Sequence, residues 1–422
     1  MAGEPPGSYD FTQEKNKLKP KTLLITTLNL ATNPRLLKEL RLLLENGHEV
    51  TVILFRMGNW SDKPDDELRA SFKTVRFIQL SALRSPFWPW LLSSLLEKFY
   101  RWFPLAWLNT SMLSIAAGKR SFLLVKAVKQ LGESFDWVIA HNPAAFFPAY
   151  MAAQRKGASL GIDVEDYHPG ETNNPTLKAI LMHLMQRILP KATYCSFASP
   201  LIKQYTEKGL PVINRPHHKV VNNVFSQHEF PLPPAEADLK RKLQFVWFSQ
   251  FIDYGRGLEQ LFPLFDELKD SIEITFIGSV REQFLQKELV QRTYITCLPS
   301  TSQWELHQQL CSYDVGMALE DRNTDANRNV CLTNKIWAYF QAGLYILATA
   351  TDAQQEFLEQ FPLHGELISF DPTTGHNSIT DLLNRKEEIL LNKVNRYQNA
   401  RPVCWETESA VLLSEWNTIR KQ

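Results

Sequence analysis

Five cysteines in 422 residues (Cys195, Cys297, Cys311, Cys331 and Cys404) are too scattered to form a C-x-x-C pair or a Cys/His zinc cluster. Odd in number and widely spaced, they read as reduced thiols in a core, which implies a reducing compartment. Charge of one sign is also lacking. Lys and Arg total 46 against 45 Asp and Glu, a formal charge of +1, so there is no field to gather a polyanion and nucleic acid is not an expected partner. The uncharged apolar stretch 103–118 contains Asn109, Thr110 and Ser111 and falls short of the roughly 20 residues a membrane span requires. No transmembrane helix is therefore expected. The opening MAGEPPGSYDFTQEKNKLKPK has no apolar segment of the signal-peptide kind and reads as a disordered tail over 1–20, which fits a cytoplasmic protein. Also missing are a D-x-D pair at the end of an expected strand, an H-E-x-x-H and any other metal-ligand spacing, so no metal site is expected.

With 44% hydrophobic and 22% charged residues, a chain of this length can bury two ordinary cores. The first regular unit is KTLLITTLNLATNPRLLKELRLLLENGHEVTVILF. An apolar run at 23–25 is followed by a polar turn, where Asn33 can cap a helix that Pro34 begins. Leu36, Leu37, Leu40, Leu43 and Leu44 share one helical face, Asn46-Gly47 ends the helix, and 50–55 is a run suited to a buried parallel strand. The βαβ pattern recurs at 137–162, with a strand at 137–140, the turn HNP, a helix at 144–155 stopped by Gly157, and a strand at 158–162. Further strands are expected at 245–248, 272–277, 294–297, 315–319 and 345–348, with Ser302 and Glu305 spaced as a capping box.

The segment SQHEFPLPPAEADLKRK reads as a surface connection. The expected organisation is α/β: a Rossmann-like domain at 21–228, a linker at 229–243 and a second Rossmann-like domain at 244–402, ahead of a closing segment at 403–422.

In open α/β sheets ligands sit beyond the carboxyl ends of the strands, so the loops that follow strands are where chemistry is sought. In NRNVCLTNKIWAYFQAG, Asn327, Arg328, Asn329, Thr333 and Asn334 lead into a helix that carries Lys335 in its first turn. The macrodipole disfavours a lysine there, and an anion neutralising both Lys335 and Arg328 would explain it, although a solvated basic loop reads the same way. In WFSQFIDYGRGLEQ, Gly255 and Gly257 flank Arg256 between a strand and a helix, so backbone N–H groups and a guanidinium can meet one anion; the third glycine of the dinucleotide fingerprint is absent. In GIDVEDYHPGE, Asp163, Glu165, Asp166, His168 and Glu171 crowd one strand end, either as acid–base and hydroxyl-binding groups or as a solvated acidic loop. His141, after the preceding strand, carries the same two readings.

Residues 84–129 are a further candidate surface, rich in Trp and carrying seven Lys/Arg, from Arg84 to Lys129, against Glu97 alone. Any single tryptophan here suits packing in the core or over a cleft. The stretch as a whole suits peripheral contact with a bilayer.

With these motifs in view, the chain resembles the GT-B glycosyltransferases that build capsule and lipopolysaccharide sugars. TNPRLLKELRLLLENGHEVTV, HNPAAFFPAYMAAQRKGASLGIDVEDYHPGE, ASPLIKQYTEKG, WFSQFIDYGRGLEQ, YDVGMALE and LTNKIWAYFQAGLYILAT follow in the family's order over most of the chain. The resemblance implies two Rossmann-like domains facing across a cleft, a C-terminal helix within 403–422 that crosses back onto the first domain, and a nucleotide-sugar donor held by Arg256 and Lys335 with Thr333 and Asn334 beside them; Gly257 and Arg328 join these from the reading of their loops. It implies no other cofactor. The acceptor, a glycan or lipid-linked hydroxyl, would meet Glu165, Asp166 and His168, in a metal-independent and retaining transfer at the inner membrane face. The chain departs from its relatives at Ala338, where many carry a glutamate that grips the ribose, at TLNLAT in place of a Gly-Gly turn, and at Glu165 in place of a frequent histidine. Two other functions fit the same architecture: a nucleotide-sugar epimerase, and a non-catalytic binding protein.

Overall fold

The first expected helix forms as Pro34–Glu45 because its ends are built for it. The Asn33 side chain accepts from the Leu36 N–H at 3.0 Å, Pro34 occupies the first turn, and Gly47 leaves the helix at φ 76°. Its buried face differs from the expected leucine stripe. Leu36, Leu40, Leu42 and Leu43 are buried, and so are Arg35 and Glu39, which places two charged groups against the sheet. The helix Pro143–Lys156 stops at Gly157 with φ 67°, and Ser302 and Glu305 make both bonds of a capping box.

A computed structural model of the protein describes residues 19–211, 217–234 and 238–419. Residues 1–18 of the expected tail, 235–237 of the expected linker and 420–422 of the closing segment lie outside the described residues.

Seven parallel strands form the first sheet: β1 (Lys21–Thr26), β2 (Glu49–Arg56), β3 (Arg76–Ser81), β4 (Trp137–His141), β5 (Ser159–Val164), β6 (Tyr194–Phe197) and β7 (His218–Val220). Their spatial order is β3-β2-β1-β4-β5-β6-β7. Six more form the second: β8 (Leu243–Ile252), β9 (Ile272–Val280), β10 (Ile295–Leu298), β11 (Val315–Ala318), β12 (Tyr345–Thr349) and β13 (Gly365–Ile368), in the order β10-β9-β8-β11-β12-β13. Strand order reverses beside β1 and β4 in one sheet and beside β8 and β11 in the other. Crevices for ligands open at these switch points.

Burial on both faces explains the near-continuous apolar runs of β1, β2, β4 and β12. The final helix, Trp405–Ile419, returns to the first domain, where Leu412 and Trp416 join Leu24, Val52, Trp137, Ile139 and Tyr194 in one core cluster.

Two expectations need correction. Cys297 is exposed on the edge strand β10, although Cys195, Cys311 and Cys404 are buried. Trp88, Trp102 and Trp107 do not pack in a core; they stand in solvent. Among the described residues, no helix is long and apolar enough to cross a membrane.

Candidate active site

At the switch point of the second sheet, the loops after β8 and β11 face each other. Gly255 (φ 80°) and Gly257 (φ 84°) place Arg256, and a Cβ on Gly257 would lie 2.3 Å from the Phe370 ring, so this turn accepts only glycine. Two residues past β11 stands Glu320, 2% exposed, its backbone fixed by the Thr349 hydroxyl, which accepts from the Glu320 N–H and donates to its C=O. Three cations converge on this carboxylate. Lys335 Nζ lies 3.2 Å from Oε1, and Arg328 and Arg256 approach Oε2 at 3.8 and 3.9 Å.

Arg328 comes from the short helix Ala326–Val330, which Asp325 caps and whose Arg328 side chain Asp325 also meets at 3.5 Å. Lys335 comes from the first turn of Asn334–Gln341 and lies 5.5 Å from the Trp247 ring centre. Among the described residues, buried Thr333 Oγ1 has no hydrogen-bond partner, and buried Arg328 Nη1 has only its 3.8 Å approach to Glu320. A buried donor left unpaired is costly, and this pair marks where a further oxygen-rich group would fit.

Thr333 N-caps the Asn334–Gln341 helix without a side-chain capping bond, while Asn334 turns away to accept from Asn223. Ala338 is fully buried on that helix. Of the residues expected to hold the donor, Arg256, Gly257, Arg328, Thr333 and Lys335 are thus gathered in one place, and Asn334 faces the junction with the first domain.

At the switch point of the first sheet the charges are denser and more deeply buried. Arg35 holds Asp163 with two hydrogen bonds, of 2.6 and 2.7 Å, and Ser196 adds a third at 2.6 Å. His141, fully buried, contacts Glu39 through Nε2 and Glu165 through Nδ1, both at 2.9 Å. Burial works against the charge of His141, but Glu39 and the bonds to Asp163, Glu165 and Glu39 hold its pKa well above the usual imidazole value. Burial would raise Asp163, yet Arg35 and His141 pull it below the carboxylate range. Asp163, His141 and the carboxylate of Glu165 are therefore committed to one another. The group His141, Asp163 and Glu165 has metal-ligand spacing, but the Arg35 guanidinium already sits on Asp163, where a metal would need a free oxygen.

Asp166 is half-buried and does not line the neighbouring cleft, whereas His168, 3% exposed, does. Burial, with Glu171 adding to it, raises Asp166 to about 6, against the pull of His168 and the Asn327 hydrogen bond. Burial opposes charge on His168, but Glu171, 2.7 Å from Nδ1, and Asp166 raise it overall. Its buried Nε2 has no partner. His168 lines a cleft of about 420 Å³ with Thr27, Glu97, Arg120, Asn142 and Glu171. At the cleft wall, Asn142 holds a left-handed φ of 73° and accepts from the hydroxyls of Thr26 and Thr27.

Several hydrogen bonds join the two halves, and Asn327 makes two of them. The Asn327 amide donates to Asp166 at 2.9 Å and accepts from the Tyr167 N–H at 2.8 Å, and Asn327 is the immediate neighbour of Arg328. Asn173 donates to the Thr324 carbonyl at 3.2 Å and Ser199 to the Val330 carbonyl at 3.2 Å, across the same contact. Sequence reasoning gave no role to Glu320, Arg35 or Glu39. Glu320 was open to discovery as the first ionisable residue beyond β11; Arg35 and Glu39 carried no signal beyond being charged on a leucine-rich helix.

This architecture is the GT-B fold, and solved structures of that fold resemble the chain over nearly its whole length. HepE from Anabaena in complex with UDP-glucose is 14% identical, with a TM-score of 0.63, over 95% of this chain and 100% of that one. Sucrose-phosphate synthase from Thermosynechococcus elongatus is 14% identical, with a TM-score of 0.63, over 96% and 99% of the two chains. The lipopolysaccharide outer core galactosyltransferase WaaB is 14% identical, with a TM-score of 0.56, over 94% and 99%. No family model and no curated protein matches the chain.

Proposed function

We propose that this protein is a glycosyltransferase that moves a sugar from a nucleotide-sugar donor to a hydroxyl of a glycan or lipid-linked acceptor in surface polysaccharide synthesis. The convergence of Arg256, Arg328 and Lys335 on one buried carboxylate, beside Thr333 Oγ1 and Arg328 Nη1 that make no hydrogen bond among the described residues, carries this reading. Three cations against two carboxylates, Glu320 and Asp325, leave a positive excess at the tip of a helix, a fixed environment for the negative charge that grows on a departing diphosphate. These cations supply the stabilisation a metal would otherwise give, so a metal-independent transfer fits the site. The fold shared with proteins solved with UDP and UDP-glucose points the same way.

On the acceptor side, Asp166 orients or deprotonates the hydroxyl, and the Nε2–H of protonated His168 holds an acceptor oxygen in the cleft. Glu165 acts through His141 as a positioning residue. Retention of the anomeric configuration follows from the family resemblance, as does a cytoplasmic site of action. Peripheral contact of residues 84–129 with the membrane face belongs to the same function.

The test is a panel of nucleotide sugars, read by thermal shift and by mass spectrometry of the products. The expected result is stabilisation by at least one donor, which Arg256→Ala and Lys335→Ala abolish. Unchanged donor binding in Lys335→Ala, or epimerised sugar as the sole product, would overturn the proposal.

A further inference from the structure

The helix Phe87–Trp102 is turned inside out. Ser93 is its one buried residue, 1% exposed, whereas Trp88 and Trp102 are 75% and 93% exposed. Trp88, Leu92, Leu95, Phe99 and Trp102 recur at helical spacing and form one solvent-facing stripe. Phe103 and Trp107 extend it, with the Phe99 and Phe103 rings 4.7 Å apart and the Phe103 and Trp107 rings 6.4 Å apart. The inward side is mixed: Tyr100 packs against the core, and polar groups take most of the rest. Ser93 and Ser94 donate back to the Trp90 carbonyl, and Arg101 pairs with Glu97 at 2.9 Å and donates to the Ala116 carbonyl at 2.8 Å. A helix that serves only a soluble core has the opposite arrangement, and a patch of this kind marks a contact surface.

Charge selects the occupant. Residues 84–129 contain seven Lys/Arg and one acid. Arg84 and Lys119 lie over the Trp90 ring at 5.2 and 5.1 Å, and Lys98 is exposed on the same helix. Tryptophan bodies fringed by cations match the headgroup zone of an anionic bilayer. The helix also borders the site from its other face: Glu97, on the inward side, and Lys119 line the same cleft as His168 and Asn142.

We propose that the stripe Trp88–Leu92–Leu95–Phe99–Trp102 seats on an anionic bilayer, so that the adjoining cleft takes an acceptor hydroxyl carried on a lipid. The lipid-borne acceptor rests on the sugar-transfer reading; the docking does not.

The full chain is mixed with vesicles of phosphatidylcholine, with and without phosphatidylglycerol, and followed by flotation and tryptophan emission. The expected result is binding that requires phosphatidylglycerol, weakens with salt and shifts the emission to the blue. In a triple variant (Trp88→Ser, Trp102→Ser, Trp107→Ser) binding falls by roughly tenfold or more, while the thermal shift by nucleotide sugars stays unchanged. No binding to phosphatidylglycerol vesicles, equal binding by the triple variant, or a solution dimer that the triple variant abolishes overturns the docking. Label passing from the donor into butanol-extractable lipid when native membrane extract is supplied supports the lipid acceptor. Label that stays in water-soluble product with the vesicles bound overturns it. A protein that floats with vesicles but responds to no nucleotide sugar refutes the sugar-transfer reading and leaves the docking intact.

Discussion

Replacing Glu320 with Gln keeps the shape of the side chain and removes the charge that Arg256, Arg328 and Lys335 share. Without ligand, three like charges then face one another. Breaking a buried pair costs about 3–5 kcal/mol, and because the three side chains are 37%, 24% and 11% exposed, about 1–3 kcal/mol is expected here. With a diphosphate bound the sign reverses. An anion on the far side of cations that stand 3.2–3.9 Å from the carboxylate would lie roughly 6–7 Å from it. Each phosphate charge is then repelled by about 0.6 kcal/mol at a water-like dielectric and by about 2.5 kcal/mol at an effective dielectric of ~20. Two such charges give at least about 1.3 kcal/mol, so E320Q binds UDP roughly tenfold more tightly or better. Thermal melts and titration calorimetry with UDP at low and physiological salt read both effects: a lower midpoint for the free variant and a larger gain on adding nucleotide. A loss of UDP affinity in E320Q would refute the counter-ion assignment, because it would make the carboxylate a donor contact.

Two further substitutions test the acceptor side and the closing helix. The folded pKa of Asp166, about 6, lies above its ordinary 3.8, so its protonation stabilises the fold below about pH 4, and that contribution is lost as pH rises through 6. D166N should therefore resist denaturant better than the parent at neutral pH, while turnover falls and the loss of activity towards acid pH disappears; a variant that keeps the parent's pH profile would count against Asp166. Trp416, 3% exposed, contacts the rings of Trp137 and Tyr194 at 6.5 and 6.4 Å, so W416A should cost about 3–5 kcal/mol in chemical denaturation.

Much of the fold was legible because parallel strands buried on both faces announce themselves as apolar runs. The runs at 23–25, 50–55, 137–140 and 345–348 all lie inside observed strands. The strands β3, β6, β7 and β13 went unread. β3 is a half-exposed edge strand, and β6, β7 and β13 have only four, three and four residues, too few for a period to show. The basic residues near the helix tip could be singled out by their position in the loops. Glu320 could be found by its place just past β11, but its role as their shared counter-ion could not, because that depends on β8 and β11 being neighbours in space. The inverted helix is a similar case: its composition is the same whether its stripe faces a core or water, and only the fold shows that Ser93 and not Trp102 points inward.

Asn327 ties these lessons to the chemistry, because it touches the acceptor loop while standing next to a donor cation. After the charge of His168, its amide hydrogen bond is what holds the Asp166 pKa down against burial and Glu171. In N327A the Asp166 carboxylate keeps its burial and its acidic neighbour but loses that donor, so its pKa moves further above 6. The acid limb of the pH–rate profile should shift to higher pH, and donor affinity should change little, because Arg328 keeps its contacts with Glu320 and Asp325. An unmoved acid limb would mean that Asp166 does not titrate in the rate-determining step. A collapse of donor binding instead would mean that the Asp166 and Tyr167 contacts of Asn327 set the position of Arg328, so that the acceptor loop builds the donor site as well as facing it.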